Sequence, residues 1–386
     1  MQKEERRIQV RHIPSQRNSN LELFRIITMF LIVAHHYVVN SGLTGAGNPM
    51  YTNPSSLRTV FLYLFGAWGK TGINCFVLIS GYFMCTSHIT AKKFAKLLLE
   101  VEFYKIIPYL LFVIAGYRSF SVVSLIKTVL PFTSVAQNFT GCYLIFFLLI
   151  PFLNVTLHHM TERQHIYLIL LLGTVYVFLG SLLGGNIVMN YVTWFVVLYF
   201  IAAYVRLYPK KVFYNTKLWG ILAAGAVAVS VACVVGFHFI GMRIKMLNAY
   251  FLMVDSNKIL AFATAFCGFM FFKNVEVKQS KFINTVAASS FGVLLIHAGS
   301  DTMRNFLWVD LLHVKEMYNS PFLIIHALVS VLGIHVVCTA IDYLRIRFME
   351  KPFFRLWDKH WEKIAEKYSR IEDRICKKLG IDTETK

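Results

Sequence analysis

Charge is scarce in this chain, and negative charge is scarcest. Only 15% of the 386 residues are charged, against about a quarter in a soluble domain, which is too few to cover a water-facing surface of this size. Acidic residues number 20 and basic residues 39, for a net charge of +19. In a soluble chain that excess would point to nucleic acid. Here the basic residues sit at the ends of apolar runs, so membrane topology accounts for them and no nucleic acid is expected. The seven cysteines form no CxxC pair and mostly lie in apolar runs, which excludes a zinc site or a disulfide framework. No other metal-ligand set is present, and there is no G-x-S-x-G nucleophile elbow. Gly69-Lys70-Thr71 resembles the end of a nucleotide loop, but such a loop needs glycine at position 64, where the chain has Leu64. No Gly/Ser/Pro-rich linker, heptad array or internal repeat divides the chain. These absences exclude a soluble enzyme, a disordered tail protein and a secreted disulfide scaffold.

Apolar sequence is plentiful: 56% of residues are hydrophobic and 15% aromatic, in long unbroken runs. A span needs about 20 mostly apolar residues. That rule predicts an all-α integral membrane protein, one bundle of about ten transmembrane helices. They are expected near 21–40, 59–84, 97–117, 138–157, 165–184, 191–208, 217–240, 256–273, 285–308 and 321–346. The first run lacks a small-residue cleavage site and reads as a retained helix. If the N-terminus is cytoplasmic, the tails and even-numbered connections hold 28 Lys/Arg, and the odd-numbered connections hold 7. Such a bias places both termini in the cytoplasm. Residues 1–17 then form an N-terminal tail, 18–350 the membrane domain, and 351–386 a cytoplasmic amphipathic tail. In that tail Phe354, Leu356, Trp357, Trp361, Ile364, Tyr368, Ile371 and Ile375 recur among charges of both signs. The pattern fits a helix on anionic inner-leaflet lipid or a solvated helix.

Charged residues inside a membrane are costly and usually functional. The first span carries Glu22, Arg25, His35 and His36. Arg25 and His36 are eleven residues apart, almost three helical turns, so they share a face and stand about 16 Å apart along the axis. His35 points about a quarter-turn away. A guanidinium suits a phosphate, and an imidazole is the side chain best poised to take a proton near neutral pH. Singly, each residue is equally explained as a snorkelling arginine or a packing histidine. Together they resemble a ligand mouth with a base above it. His158, His159 and His165 read as a solvated connection, and Asp342 with Arg345 as a structural pair one turn apart. Glu100 and Glu102 are read as balancing Lys105 or orienting a base, and their spacing forbids both from facing one cavity.

At this point the sequence resembles the acyltransferase-3 family of integral membrane acyltransferases, here as a stand-alone domain. The Arg25-to-His36 spacing carries the resemblance, with Gly69-Lys70-Thr71-Gly72-Ile73-Asn74-Cys75-Phe76 running into Ser80-Gly81-Tyr82-Phe83. It continues in Trp194-Phe195 through Tyr199 to Arg206, in Ser290 to His297, and in Asp342 to Arg345 followed by Glu350-Lys351-Pro352. One departure is Asn138, where many relatives have a tryptophan opening the fourth span; Tyr143 and Ile150-Pro151-Phe152-Leu153-Asn154 fit. The resemblance implies a multi-pass plasma-membrane protein, of bacterial type. It would transfer an acyl group, by default acetyl, from cytoplasmic acetyl-CoA or another acyl-CoA. The acceptor would be a hydroxyl of a surface glycan, an exopolysaccharide or a lipid-linked sugar precursor. No tightly bound cofactor is expected. Arg25 would hold the donor, His36 would be the general base, and Lys70 and Asn74 would stabilise the oxyanion. Glu22, His35, Ser80, Tyr143 and His297 would line the cavity. The rival reading is a polysaccharide or small-molecule carrier or flippase using the same polar path.

Overall fold

The computed structural model describes residues 18–130, 139–182, 187, 189–244 and 248–379. The expected N-terminal tail (1–17), Asn138, Lys245 and the last seven residues lie outside the described residues.

Each of the ten expected spans overlaps helical structure among the described residues, and residues 183–184 of the fifth lie outside them. The principal helices are α1 (Ser19–Val39), α2 (Leu57–Gly66), α3 (Gly69–Met84), α4 (Ala91–Ile114) and α5 (Phe139–His159). They continue with α6 (Glu162–Leu172), α7 (Tyr191–Leu207), α8 (Thr216–Gly241), α9 (Ile259–Asn274), α10 (Lys281–Ala288) and α11 (Ser290–Ala298). The chain ends in α12 (Leu323–Arg345) and α13 (Lys351–Leu379). Six helical stretches among the described residues are long and apolar enough to cross a membrane, and α7 and α9 are shorter apolar helices. The polar residues flanking these runs cap them, which matters where water cannot satisfy free backbone N–H groups. The Asn18 side chain accepts from Asn20 N, Asn190 from Thr193 N and Ser280 from Ile283 N.

Two expected spans are not single helices. The stretch expected at 59–84 breaks after Gly66 and restarts at Gly69, because the ring of His35 fills the space between them. A Cβ on Gly69 would lie 2.3 Å from that ring. The stretch expected at 285–308 is α10 and α11, ending at Ala298. Ser300 then caps a new short helix by accepting from Met303 N, with Asp301 in its first turn. Apolar sequence runs through the first break, whereas the second falls on the polar run Ser300-Asp301-Thr302, and caps and glycines decide where each helix stops.

The first helix is central. It packs against α2, α3, α9, α10, α11 and α12, so side chains from distant segments converge on it. By contrast, α12 leaves Ile324, Ile325, Leu328, Val329, Leu332, Val336 and Val337 at least half exposed, an apolar stripe suited to lipid. An aromatic cluster lies between α3, α5, α7 and α11, with Phe76, Tyr143, Phe195 and Phe291 in ring contact.

Candidate active site

Two adjacent histidines of α1 have different partners. His35 Nδ1 lies 2.6 Å from the carbonyl oxygen of Gly66, at the end of α2. That carbonyl has lost its helical partner at the break, and the imidazole satisfies it. His36, a quarter-turn round, places its Nδ1 2.9 Å from Nε2 of His297 on α11. His297 is fully buried, and its other ring nitrogen lies 2.5 Å from the carbonyl of Val293, one turn earlier. Lys70 and Arg304 are within electrostatic reach of His36. The structure therefore joins two histidines that the sequence separates by 261 positions.

Lys70, in the first turn of α3, donates to the Tyr191 hydroxyl at 2.7 Å and pairs with Asp255 at 3.3 Å. Asn74, one turn further, is completely buried. Its amide donates to Ser256 O at 2.7 Å and accepts from Trp194 Nε1 at 2.8 Å. Asn74 thus holds the 255–256 segment and α7 against α3, and through them the partners of Lys70. Sequence reasoning missed Tyr191, Asp255, Ser256 and the use of Trp194. The available signal was the polar run Asp255-Ser256-Asn257-Lys258 abutting an apolar span.

Arg25 lies three turns below His36 on the continuous helix α1. Its guanidinium donates to Glu22 at 3.3 Å and stacks over Phe76, with 5.7 Å between Cζ and the ring centroid. Its Nε is buried and has no partner among the described residues. Beside Phe76, the Tyr143 hydroxyl donates to Ser80 Oγ at 3.2 Å, and Ser80 in turn donates to Phe76 O at 2.9 Å. Ser80 is thereby tied to its own helix, with no base within hydrogen-bond reach among the described residues.

A second cluster of charges lies at Arg345. Arg345 is bonded to Glu100 at 3.1 Å, Asp342 at 2.8 Å and Glu350 at 2.9 Å, all buried. The expected Asp342–Arg345 pair is part of this larger network, which also captures Glu100, while Lys105 is left with Glu102 at 3.8 Å. His165 departs from the solvated reading: it is fully buried and its Nε2 lies 2.9 Å from Phe200 O, joining α6 to α7. Its neighbours His158 and His159 are exposed. No cluster of three metal-ligating side chains occurs among the described residues.

A titratable pair at one level of an apolar bundle, with a cation three turns away on the same helix, leaves open what the site acts on. The family model of the acyltransferase domain, acyltransferase-3, matches residues 18–342, most of the chain. The chain belongs to the acyltransferase-3 family. No curated protein and no solved structure matches it. This acyltransferase is accordingly a multi-pass membrane protein that acts on an acyl donor. Arg25, Glu22, His35, His36, Lys70, Asn74, Ser80, Tyr143 and His297 all fall within the matched residues.

Proposed function

We propose that this acyltransferase moves an acyl group, by default acetyl, from cytoplasmic acyl-CoA to a hydroxyl of a surface glycan or its lipid-linked precursor, with His36 as general base. The observation that carries the reading is the α1 face. It presents a guanidinium with an unpartnered buried donor and, about 16 Å along the axis, an imidazole held by a neighbour. Arg25 gives CoA phosphate or pantetheine oxygen a charge-assisted hydrogen bond, with Glu22 orienting the guanidinium. The aromatic cluster from Phe76 to Phe195 supplies an apolar wall for the pantetheine arm.

At the upper level, His36 takes the proton of the sugar hydroxyl as its oxygen attacks the thioester carbon. The carbonyl oxygen gains charge, and the Lys70 ammonium stabilises it. The tetrahedral intermediate then collapses, the carbon–sulfur bond breaks, and His36 returns the proton to the departing thiolate. The products are the acylated hydroxyl and free CoA. General-base help of this kind contributes about 10²–10⁴-fold. Asn74 acts at one remove, fixing the segment that carries the Lys70 partner Asp255.

The test is reconstituted protein with radiolabelled acetyl-CoA and extracted glycan. Transfer of label to glycan by the wild type and its loss in His36→Gln support the reading. Full transfer by His36→Gln overturns the assignment of the base. Donor-independent movement of intact glycan into vesicles, with no acylated product, would favour the carrier.

A further inference from the structure

A carbonyl oxygen can only accept a hydrogen bond, so each imidazole nitrogen that meets one must carry a proton. His297 Nδ1, 2.5 Å from Val293 O, therefore bears the hydrogen. In a neutral ring the other nitrogen is then bare. That bare Nε2 faces His36 Nδ1 at 2.9 Å, and a contact this short needs one hydrogen between the two nitrogens. The hydrogen belongs to His36 Nδ1. His36 Nε2 is left with a free lone pair.

We infer that His297 is a positioning residue that fixes the tautomer of His36, so that Nε2 is the atom that takes the acceptor proton. The inference rests on the reading of His36 as general base. The order of donation runs from His36 Nδ1–H to His297 Nε2, and from His297 Nδ1–H to Val293 O. The anchor is rigid, since Val293 and His297 are one turn apart on α11 and both are fully buried. When His36 is protonated in the reaction, its Nδ1–H still points at a lone pair, so the imidazolium keeps its partner and the ring does not turn. A buried carboxylate orients the base in hydrolytic triads. A second neutral imidazole serves the same purpose here without adding a negative charge to the bundle.

Two experiments test this. The first compares His297→Gln with His297→Leu. Glutamine offers a carbonyl oxygen near the place of Nε2 and can accept from His36, whereas leucine cannot. Leucine should lower kcat by about 10²-fold or more with donor KM unchanged, and glutamine should restore at least a tenth of the wild-type kcat. Wild-type kcat in His297→Leu overturns the inference, as does equal loss in both variants at equal folded yield. The second reads the wild type directly and covers the case in which the leucine variant does not fold. In ¹⁵N-histidine-labelled protein in detergent, the resonances missing from the His36→Gln spectrum should show a protonated Nδ1 and an unprotonated Nε2. The reverse pattern overturns the inference. If His36→Gln itself retains full transfer, it is the general-base reading that fails, whatever the tautomer.

Discussion

Gly69 and His35 depend on one another. The space where a Cβ of Gly69 would sit is filled by the imidazole, 2.3 Å away, and that imidazole satisfies the end of α2. Gly69→Ala should therefore displace the ring and destabilise the bundle by about 1–3 kcal/mol. His35→Ala, which strands a buried carbonyl, should cost a similar amount. Both should appear as a lower thermal-aggregation midpoint in detergent, with kcat per folded molecule within about tenfold of wild type. A His35→Ala protein as stable as wild type but inactive would make His35 a chemical participant instead. Arg25 has the opposite signature. Arg25→Ala should raise apparent acyl-CoA KM more than it weakens folding, although it leaves buried Glu22 without its cation, and Arg25→Lys should recover only part, because an ammonium lacks the planar fork of donors. Unchanged donor binding in purified Arg25→Ala would reduce Arg25 to a helix anchor. The rate should fall once the pH is low enough to protonate His36, since a protonated ring has no lone pair to offer. A rate that rose on acidification would argue against an imidazole base.

Among the helices, the junction of α4, α11 and α12 is where a single charge holds most. Arg345 pairs with Glu100, Asp342 and Glu350 together, and Tyr104 donates to Asp342 at 2.8 Å. Gly292 on α11 admits Asp342 only because it has no side chain; a Cβ there would lie 2.4 Å from the carboxyl carbon. Arg345→Leu would leave the buried Glu100 and Asp342 without their cation, while Glu350 keeps Lys96 at 2.7 Å, at a cost of about 3–5 kcal/mol. The expected result is little folded protein, with yield restored in part when Glu100→Gln and Asp342→Asn are added. Normal yield from Arg345→Leu alone would show that the network is not a keystone. The breaks at Gly66–Gly69 and at Ser300 belong to this scale too. Apolarity runs across the first, and the length a bilayer demands carries the expected span over the polar Ser300-Asp301-Thr302 of the second. The glycines and the Ser300-Asp301 cap were visible in the sequence, but the ring that fills the first break comes from α1.

For the molecule as a whole, the distribution of Lys and Arg between alternate connections predicts both ends of the chain on the cytoplasmic side. A reporter fused after Lys386 should be active only inside the cell, as should one in the connection that holds Lys210 and Lys211. Activity of either reporter outside would overturn the span assignment. Lys210 is held there by Glu162 at 2.6 Å, a tie between the two connections flanking α6 and α7. Those connections must therefore lie on the same side.

The all-helical membrane class and the shared face of Arg25 and His36 follow from local sequence, because apolar run length and the 3.6-residue period act within one helix. The family follows from short motifs in order along the chain. What no local rule could reach is which helix stands opposite which. His36 meets His297, Lys70 meets Asp255 and Tyr191, and Glu100 meets Arg345 only after α1 is enclosed by its neighbours. Residues of one chemical type then take opposite roles. His35 closes a helix end and His36 faces a second imidazole, although both are consecutive histidines in the same apolar run. Helical periodicity separates them by a quarter-turn, and packing alone decides what each one meets.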